Sequence, residues 1–476
     1  MTMLPAGRSG RLTLLAITLF LAFYGRCLDI WFYQDDFGWL HLAPVRSLPE
    51  FAHSLFFAKA HGSVRVLSTN AFFMLFGTAF GLNPLPFHLA VFAAAAGILL
   101  LLPAVVRRLG GSDWAGFVAQ LVWLFHSCVA VSFCWISIFN QTLCLLLLLA
   151  AFLCLLRYQE SGQAKWLRLQ WAAFLAGFGA LEVNVVYPAL ALLWAWFYAR
   201  RLWRSIAPMF AVSALYTAGQ FALAPPDPAG PYALHVGPHI AGTLWRYVQM
   251  AAGPERFAHF LPAPSGFVPL ATLMLAAAAL WAAWRLGRAG LVSLGWFVLP
   301  LIPYLPLRDH VMDYYLTVPA AGLAMLAGLA WSKRAAAVLA LYFVLHIPAA
   351  WMTVSWRRAR SHRAQDVVEA VVEIHRRKPH QAVLLTGVDT ATFESALADL
   401  PFELYGIKNV YLAPGAEREI RDAAGLAPLY VLPADRAISE IEASKAAVYD
   451  ISGPVVRNIT SRYLVLWKTG HNGSVP

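Results

Sequence analysis

Apolar runs close to 20 residues long recur along this chain between Leu12 and Val354, and they stop after Trp356. Each is long enough to cross about 30 Å of hydrocarbon at about 1.5 Å of rise per residue. Spans are expected at residues 12–27, 84–106, 114–134, 138–156, 167–181, 183–198, 206–223, 266–286, 289–305, 314–331 and 335–353. Composition agrees: 60% of the 476 residues are hydrophobic and 13% charged, against about 45–50% and 25% in soluble domains. Lipid is therefore expected as the solvent for most of this chain.

The net charge of +11 would suit a nucleic-acid binder if it were concentrated on one soluble face, but it is spread over alternate loops. With Arg8 and Arg11 on the cytoplasmic side, every second loop is basic: Arg107 and Arg108; Arg157, Lys165 and Arg168; Arg200, Arg201 and Arg204; Arg285 and Arg288; Lys333 and Arg334. This is the positive-inside pattern. It predicts an inside N-terminus, an outside C-terminal segment and no nucleic-acid partner. After the first run comes Arg26-Cys27-Leu28-Asp29, with no small-residue cleavage site, so a retained helix is expected rather than a signal peptide. The five cysteines lie in or beside apolar runs and none follows residue 154. No disulfide framework or zinc spacing is expected, only buried thiols acting as small apolar groups.

The expected fold is thus an all-α polytopic membrane protein of about eleven transmembrane helices, N-terminus in and C-terminus out, followed by a small exported α/β domain. The division is expected at residues 1–356 and 357–476. In the first outside loop, 47–57 has the spacing of a surface-lying helix, and 240–250 suggests another. In the tail, helices are predicted at 361–377, 390–400, 417–424 and 434–443, and strands at 382–385, 410–412, 429–432, 447–449 and 463–466. No Gly-rich phosphate loop is present; Thr386-Gly387-Val388-Asp389 is too short a stretch to count.

The sharpest chemical signal is Tyr33-Gln34-Asp35-Asp36-Phe37-Gly38-Trp39-Leu40, directly after the first span. Two adjacent carboxylates among aromatic side chains are costly to desolvate. Burial and mutual repulsion raise the pKa of one member of such a pair, which suits general-base work or cation binding. A solvated loop start is the plain alternative. Glu182 stands in an almost uncharged stretch, where a lone carboxylate is expensive; it reads as a second acidic group or as the partner of an outside arginine. His126 reads as a structural histidine within the third span.

The stretch Asp35-Asp36-Phe37-x-x-Leu40 resembles the opening of GT-C superfamily glycosyltransferases, which include protein O-mannosyltransferases, aminoarabinose transferases and bacterial relatives. His61-Gly62-Ser63-Val64-Arg65-Val66-Leu67 is similar to their Tyr-Arg-Pro-Leu segment. Phe76-Gly77 through Asn83-Pro84 to His88-Leu89 is similar to the approach to their second span. Leu181-Glu182-Val183-Asn184 with Pro188 resembles their Lys-Glu…Pro segment without the Lys. The chain departs from the pattern at Val91 and Ala95, where Asn and His often stand. It departs again at 136–141, which lacks the carboxylate that completes a metal site in metal-using relatives.

The resemblance implies transfer of a sugar from a polyprenyl-phosphate carrier to an acceptor hydroxyl of a glycan, lipid or protein, on the periplasmic face of a bacterial inner membrane. Asp35 or Asp36 would be the general base, with Glu182 as a further acidic group and inversion at the sugar carbon. Arg65, Arg308 and His310 would meet the leaving phosphate, and His88, Asp313 and Tyr314 are candidates for substrate contact. No cofactor is expected, because one acidic pair is a thin ligand set for Mg²⁺ or Mn²⁺. Two other readings stay open: a lipid-linked sugar flippase or transporter, which would place ionisable groups at mid-membrane depth, and a non-catalytic envelope scaffold.

Overall fold

The computed structural model describes residues 7–56, 65–225, 227–333, 335–421 and 427–469. The chain divides into two compact units. One comprises residues 1–29 and 45–356; the other combines 30–44 with 357–476. A simple cut at residue 356 therefore misplaces the aspartate segment. Residues 30–44 pack with the C-terminal residues although more than 300 positions separate them in sequence.

The first unit is helical. Its principal helices are α1 (Arg8–Tyr24), α2 (Leu85–Arg108), α3 (Asp113–Leu124), α4 (Phe139–Ser161), α5 (Ala164–Ala180), α6 (Tyr187–Tyr198) and α7 (Trp203–Leu223). They continue with α8 (His239–Ala252), α9 (Pro254–Phe260), α10 (Phe267–Leu286), α11 (Arg288–Val298), α12 (Ala320–Leu329) and α13 (Ala336–Arg377), of which the unit takes residues up to 356. Among the described residues six helices are long and apolar enough to cross a membrane: Arg8–Asp29, Leu85–Arg108, Ile136–Ser161, Arg200–Leu223, Phe267–Leu286 and Ala336–Arg377. In hydrocarbon every backbone N–H and C=O needs a partner within the protein, which helices supply. The protein is accordingly an integral membrane protein built on apolar helices.

The remaining expected spans are shorter or interrupted, each for a local reason. The run at 114–134 is not one helix. It stops at Leu124, and the short helix Val131–Cys134 follows a turn. There the Ser127 N–H donates to His346 Nδ1 (3.0 Å) and the Cys128 N–H to His126 Nδ1 (3.2 Å), replacing helical bonds. Extended backbone at Leu181 (φ −163°, ψ 146°) separates α5 from a 3₁₀ turn, Glu182–Val186. Asn184 folds back so that its Nδ2 donates to the Phe174 carbonyl (2.8 Å), and Gly177 leaves it room: a Cβ there would lie 2.1 Å from Asn184 Oδ1. The run at 289–305 is α11 continued by the 3₁₀ turn Leu299–Tyr304. The run at 314–331 becomes helical only at Ala320, behind the 3₁₀ turn Asp313–Leu316. The helix expected near 47–57 is present as Leu48–Phe56, with none of its residues buried. The one expected at 240–250 is α8.

The second unit carries a four-stranded sheet of β1 (Ala382–Thr386), β2 (Val410–Leu412), β3 (Ala446–Asp450) and β4 (Arg457–Asn458), in the order β2-β1-β3-β4. β1 runs parallel to β2 and β3, and β4 is antiparallel to β3. Every residue of β1 is buried, as expected of a parallel strand covered on both faces. Helices α14 (Thr390–Ala396), α15 (Ala434–Glu442) and α16 (Thr460–Lys468) lie in the same unit. Asp389 caps α14, its Oδ1 accepting the Thr392 N–H at 2.7 Å. α14 ends at Ala396, where Leu397 leaves helical geometry (φ −128°), and Asp399 and Leu400 then take positive φ (55° and 51°), so the expected extension to Leu400 is absent.

Two expected strands are corrected. Residues 463–466 lie in α16, with Tyr463 buried in the core beside Leu384 and Val448. Residues 429–430 end a short helix, Ala427–Tyr430, and only Val431 bridges to Leu412. The helix expected at 361–377 is continuous with the last apolar span, together forming α13. Of the helix expected at 417–424, Ala416–Glu419 is a 3₁₀ turn and 422–424 lie outside the described residues.

Candidate functional site

In the first unit, Arg65 and Glu182 form an ion pair. Arg65 Nε donates to Glu182 Oε1 at 3.0 Å and to Oε2 at 3.1 Å, with side-chain exposures of 22% and 30%. Arg65 precedes a π-helical turn, Val66–Ala71, and Glu182 opens the 3₁₀ turn after Leu181. Two breaks in regular helix thus bring the pair together. Ser68 Oγ fastens them further, donating to the Ala180 carbonyl (2.6 Å). Burial works against the Arg65 charge, but the adjacent Glu182 carboxylate outweighs it and the guanidinium pKa rises above its usual value. Because Nε serves Glu182, the two terminal amino groups of Arg65 make no hydrogen bond among the described residues.

A group of tyrosines lies close enough to Arg65 to interact with it electrostatically: Tyr232, Tyr304 and Tyr315. Tyr304 and Tyr315 stack at 4.0 Å with an interplanar angle of 10°, and Gln141 Nε2 donates to Tyr304 Oη (3.2 Å). The His310 ring lies 4.3 Å from that of Tyr232 and 5.9 Å from that of Tyr315. Tyr314 packs on Tyr315 at 4.8 Å and on Trp135 at 5.9 Å. Tyr232, His310, Tyr304, Tyr315 and Tyr314 thus form one cluster of rings, with the Arg65 and Glu182 charges within electrostatic range of it.

Asp313 extends that cluster to a second ion pair. Its Oδ2 lies 3.1 Å from Arg256 Nη2, with exposures of 13% and 12%, and its Oδ1 accepts the Tyr314 N–H (2.8 Å). Arg256 Nη2 also donates to Thr353 Oγ1 (3.4 Å). Beside it, burial raises the Glu255 carboxyl pKa against the opposing pull of Arg256 and His259. Arg256 was not among the site residues expected from sequence. Its signal was weak, a single arginine after Gly253-Pro254 in a loop carrying several other charged and histidine residues.

The other expected residues are placed differently. Arg308 is half exposed, and its Nε and Nη2 donate to the adjacent Asp309 carboxylate (3.2 and 3.4 Å), which also lies 2.9 Å from His235 Nε2. The Arg308 hydrogen bond, with help from His235, holds the Asp309 carboxyl below the usual carboxylate range. His88 is fully buried in the first turn of α2, on a different element from the Arg65–Glu182 pair. Residues 61–64 of the arginine motif and Arg334 of one basic loop lie outside the described residues. His126 is buried with His346, the rings 4.5 Å apart.

Asp35 and Asp36 belong to the second unit. Gln34 takes φ 56°, and the short helix Asp36–Leu40 begins directly after Asp35. Asp36 is fully buried, and its Oδ2 accepts the Tyr33 N–H (3.2 Å). The segment is fastened at several points. The Trp31 N–H donates to Ser361 Oγ (2.9 Å), the Gln34 N–H to the Ser395 carbonyl (3.2 Å), and Arg357 Nη1 to Tyr33 Oη (3.0 Å). His41 Nε2 lies 3.0 Å from the Asp399 carbonyl. Ser395 closes α14 and Asp399 follows it, so the aspartate segment is fastened to the end of α14 and the turn after it. Among the described residues no three His, Cys, Asp or Glu side chains are grouped to hold a metal ion.

No protein family matches the chain by sequence, and no curated protein does. Among solved structures, the chain is similar to the crystal structure of ArnT from Cupriavidus metallidurans bound to undecaprenyl phosphate. The TM-score is 0.47 and the identity 15%, over 97% of this chain and 95% of that one.

Proposed function

We propose that this protein is a membrane glycosyltransferase that moves a sugar from a polyprenyl-phosphate carrier to an acceptor hydroxyl on the outer, periplasmic face of a bacterial inner membrane. The observation that carries the reading is Arg65. Glu182 engages its Nε alone, so a planar pair of donors remains for a phosphate, and guanidinium groups bind phosphate best through such a fork. His310 adds a further donor or cation in the same aromatic cluster. As polyprenyl phosphate leaves, negative charge grows on its oxygens, and fixed donors at that position stabilise the transition state. Asp36, buried among aromatic side chains, or its neighbour Asp35 takes the proton from the acceptor hydroxyl. Attack by that hydroxyl from the face opposite the phosphate inverts the sugar carbon. Asp313, Tyr314 and His88 remain candidates for substrate contact, and Arg308 for the phosphate.

The test is transfer by the purified full chain, offered labelled polyprenyl-phosphate sugars and candidate acceptors. Wild type is compared with Asp35→Asn, Asp36→Asn and Arg65→Gln. One aspartate variant should lose at least about a hundredfold in rate, in keeping with the 10²–10⁴-fold worth of general-base catalysis. Arg65→Gln should bind the donor more weakly. Equal transfer by all four proteins would remove both assignments. A reporter active only in the periplasm, fused after residue 476, tests the orientation separately.

A further inference from the structure

A cavity of about 920 Å³ lies between α8, α10, α11, α12 and α13, in the first unit. Small side chains make the hollow: Ala276, Ala279 and Ala282 on α10 and Ala327 on α12, with Tyr342 on its wall. Tyr342 spends its hydroxyl on the Val122 carbonyl (2.9 Å), so that wall is apolar towards the hollow. At one end the lining turns basic, with Arg285 in the last turn of α10 and Lys333 between α12 and α13. Both cations are exposed, and neither has a carboxylate partner among the described residues. Three exposed tryptophans mark the same end: Trp281, Trp284 and Trp331. Such aromatics gather at the level of lipid headgroups.

The hollow opens on one side, and away from its basic end its mostly apolar walls offer water few partners. Left empty, its walls would lose the dispersion contacts that packed atoms make. In a bilayer the filling at hand is an acyl chain, and cations at the mouth select its headgroup, since basic pockets between transmembrane helices recognise anionic lipids. We infer that this cavity holds an anionic phospholipid, its chain between α10 and α12 and its phosphate at Arg285 and Lys333. The inference does not rest on the glycosyltransferase reading.

The experiment is native mass spectrometry of the full chain in detergent, offered equal amounts of phosphatidylglycerol and phosphatidylcholine with matched chains. The wild type should retain phosphatidylglycerol preferentially, by about fivefold for each cation. Arg285→Gln with Lys333→Gln, which leaves the walls intact, should abolish that preference. Ala279→Phe with Ala327→Phe, which leaves the charges intact, should reduce retention of both lipids. Equal retention by the wild type, or a preference that survives the double glutamine variant, overturns the proposal. Undiminished retention by the filled variant overturns it too. Displacement of the phospholipid by an equal amount of polyprenyl phosphate likewise overturns it.

Discussion

Removing Glu182 should do more than delete one charge, because Arg65 is oriented by it. The pair is best probed by a double-mutant cycle of Arg65→Ala, Glu182→Ala and both together. Two unit charges about 4 Å apart attract by about 4 kcal/mol at an effective dielectric of about 20. The exposures of 22% and 30% place this pair between a surface contact, worth about 0–1 kcal/mol, and a buried one, where loss of one partner costs about 3–5 kcal/mol. After desolvation, a coupling of about 1–2 kcal/mol is expected. Each single variant should lose more stability than its side chain is worth in the absence of the other. The assay is equilibrium unfolding in mixed micelles, read by tryptophan fluorescence. Additive losses within about 0.3 kcal/mol, as for independent sites, would refute the claim that Glu182 holds Arg65. Arg65→Lys sharpens the functional side: it keeps the charge but cannot offer a fork while bonded to Glu182. Donor affinity should fall about tenfold, and an unchanged affinity would reduce Arg65 to a structural residue.

Arg256→Ala should destabilise by about 3–5 kcal/mol, because it strands Asp313 at 13% exposure; the double variant with Asp313→Ala should recover part of that loss in the same unfolding assay. Gly253→Ala should cost about 2–4 kcal/mol, since φ is +102° there and a Cβ would meet His346 Nε2 at 2.7 Å. Glu255 sets a pH dependence: its folded pKa is raised by burial, so its contribution is fullest below the unfolded carboxyl value and is lost as pH rises through the folded one. Glu255→Gln should therefore melt higher than wild type at pH 7 and near wild type at pH 4. A constant difference across that range would contradict the burial assigned to it.

The long helices were legible because hydrocarbon imposes a length and a composition that any single run must meet, as Leu85–Arg108 and Phe267–Leu286 do. What could not be read were the interruptions. His126-Ser127-Cys128 looks like a mild polar blemish in an apolar run, yet His346, more than 200 residues away, accepts the Ser127 backbone N–H and helps to stabilise a turn there. Apolar residues at 463–466 fit a buried strand and a helix face equally well, and the contacts of Tyr463 with the sheet decided for the helix. The Arg65–Glu182 pair was half legible. An isolated carboxylate in an apolar stretch demands a partner, but its identity depends on two helix breaks 117 residues apart. The membership of Asp35 and Asp36 in the second unit had no local signal, since the residues that fasten them begin at Arg357.

That last arrangement bears on how the protein is made. The Trp31 and Gln34 backbone N–H groups donate to Ser361 and Ser395, residues that a ribosome adds after all but the last quarter of the chain. Until then the acidic segment has emerged without the groups that shape it, at about 5–20 residues per second of synthesis. A nascent or prematurely terminated chain would thus carry the Arg65–Glu182 pair but an acidic segment without the groups that shape it.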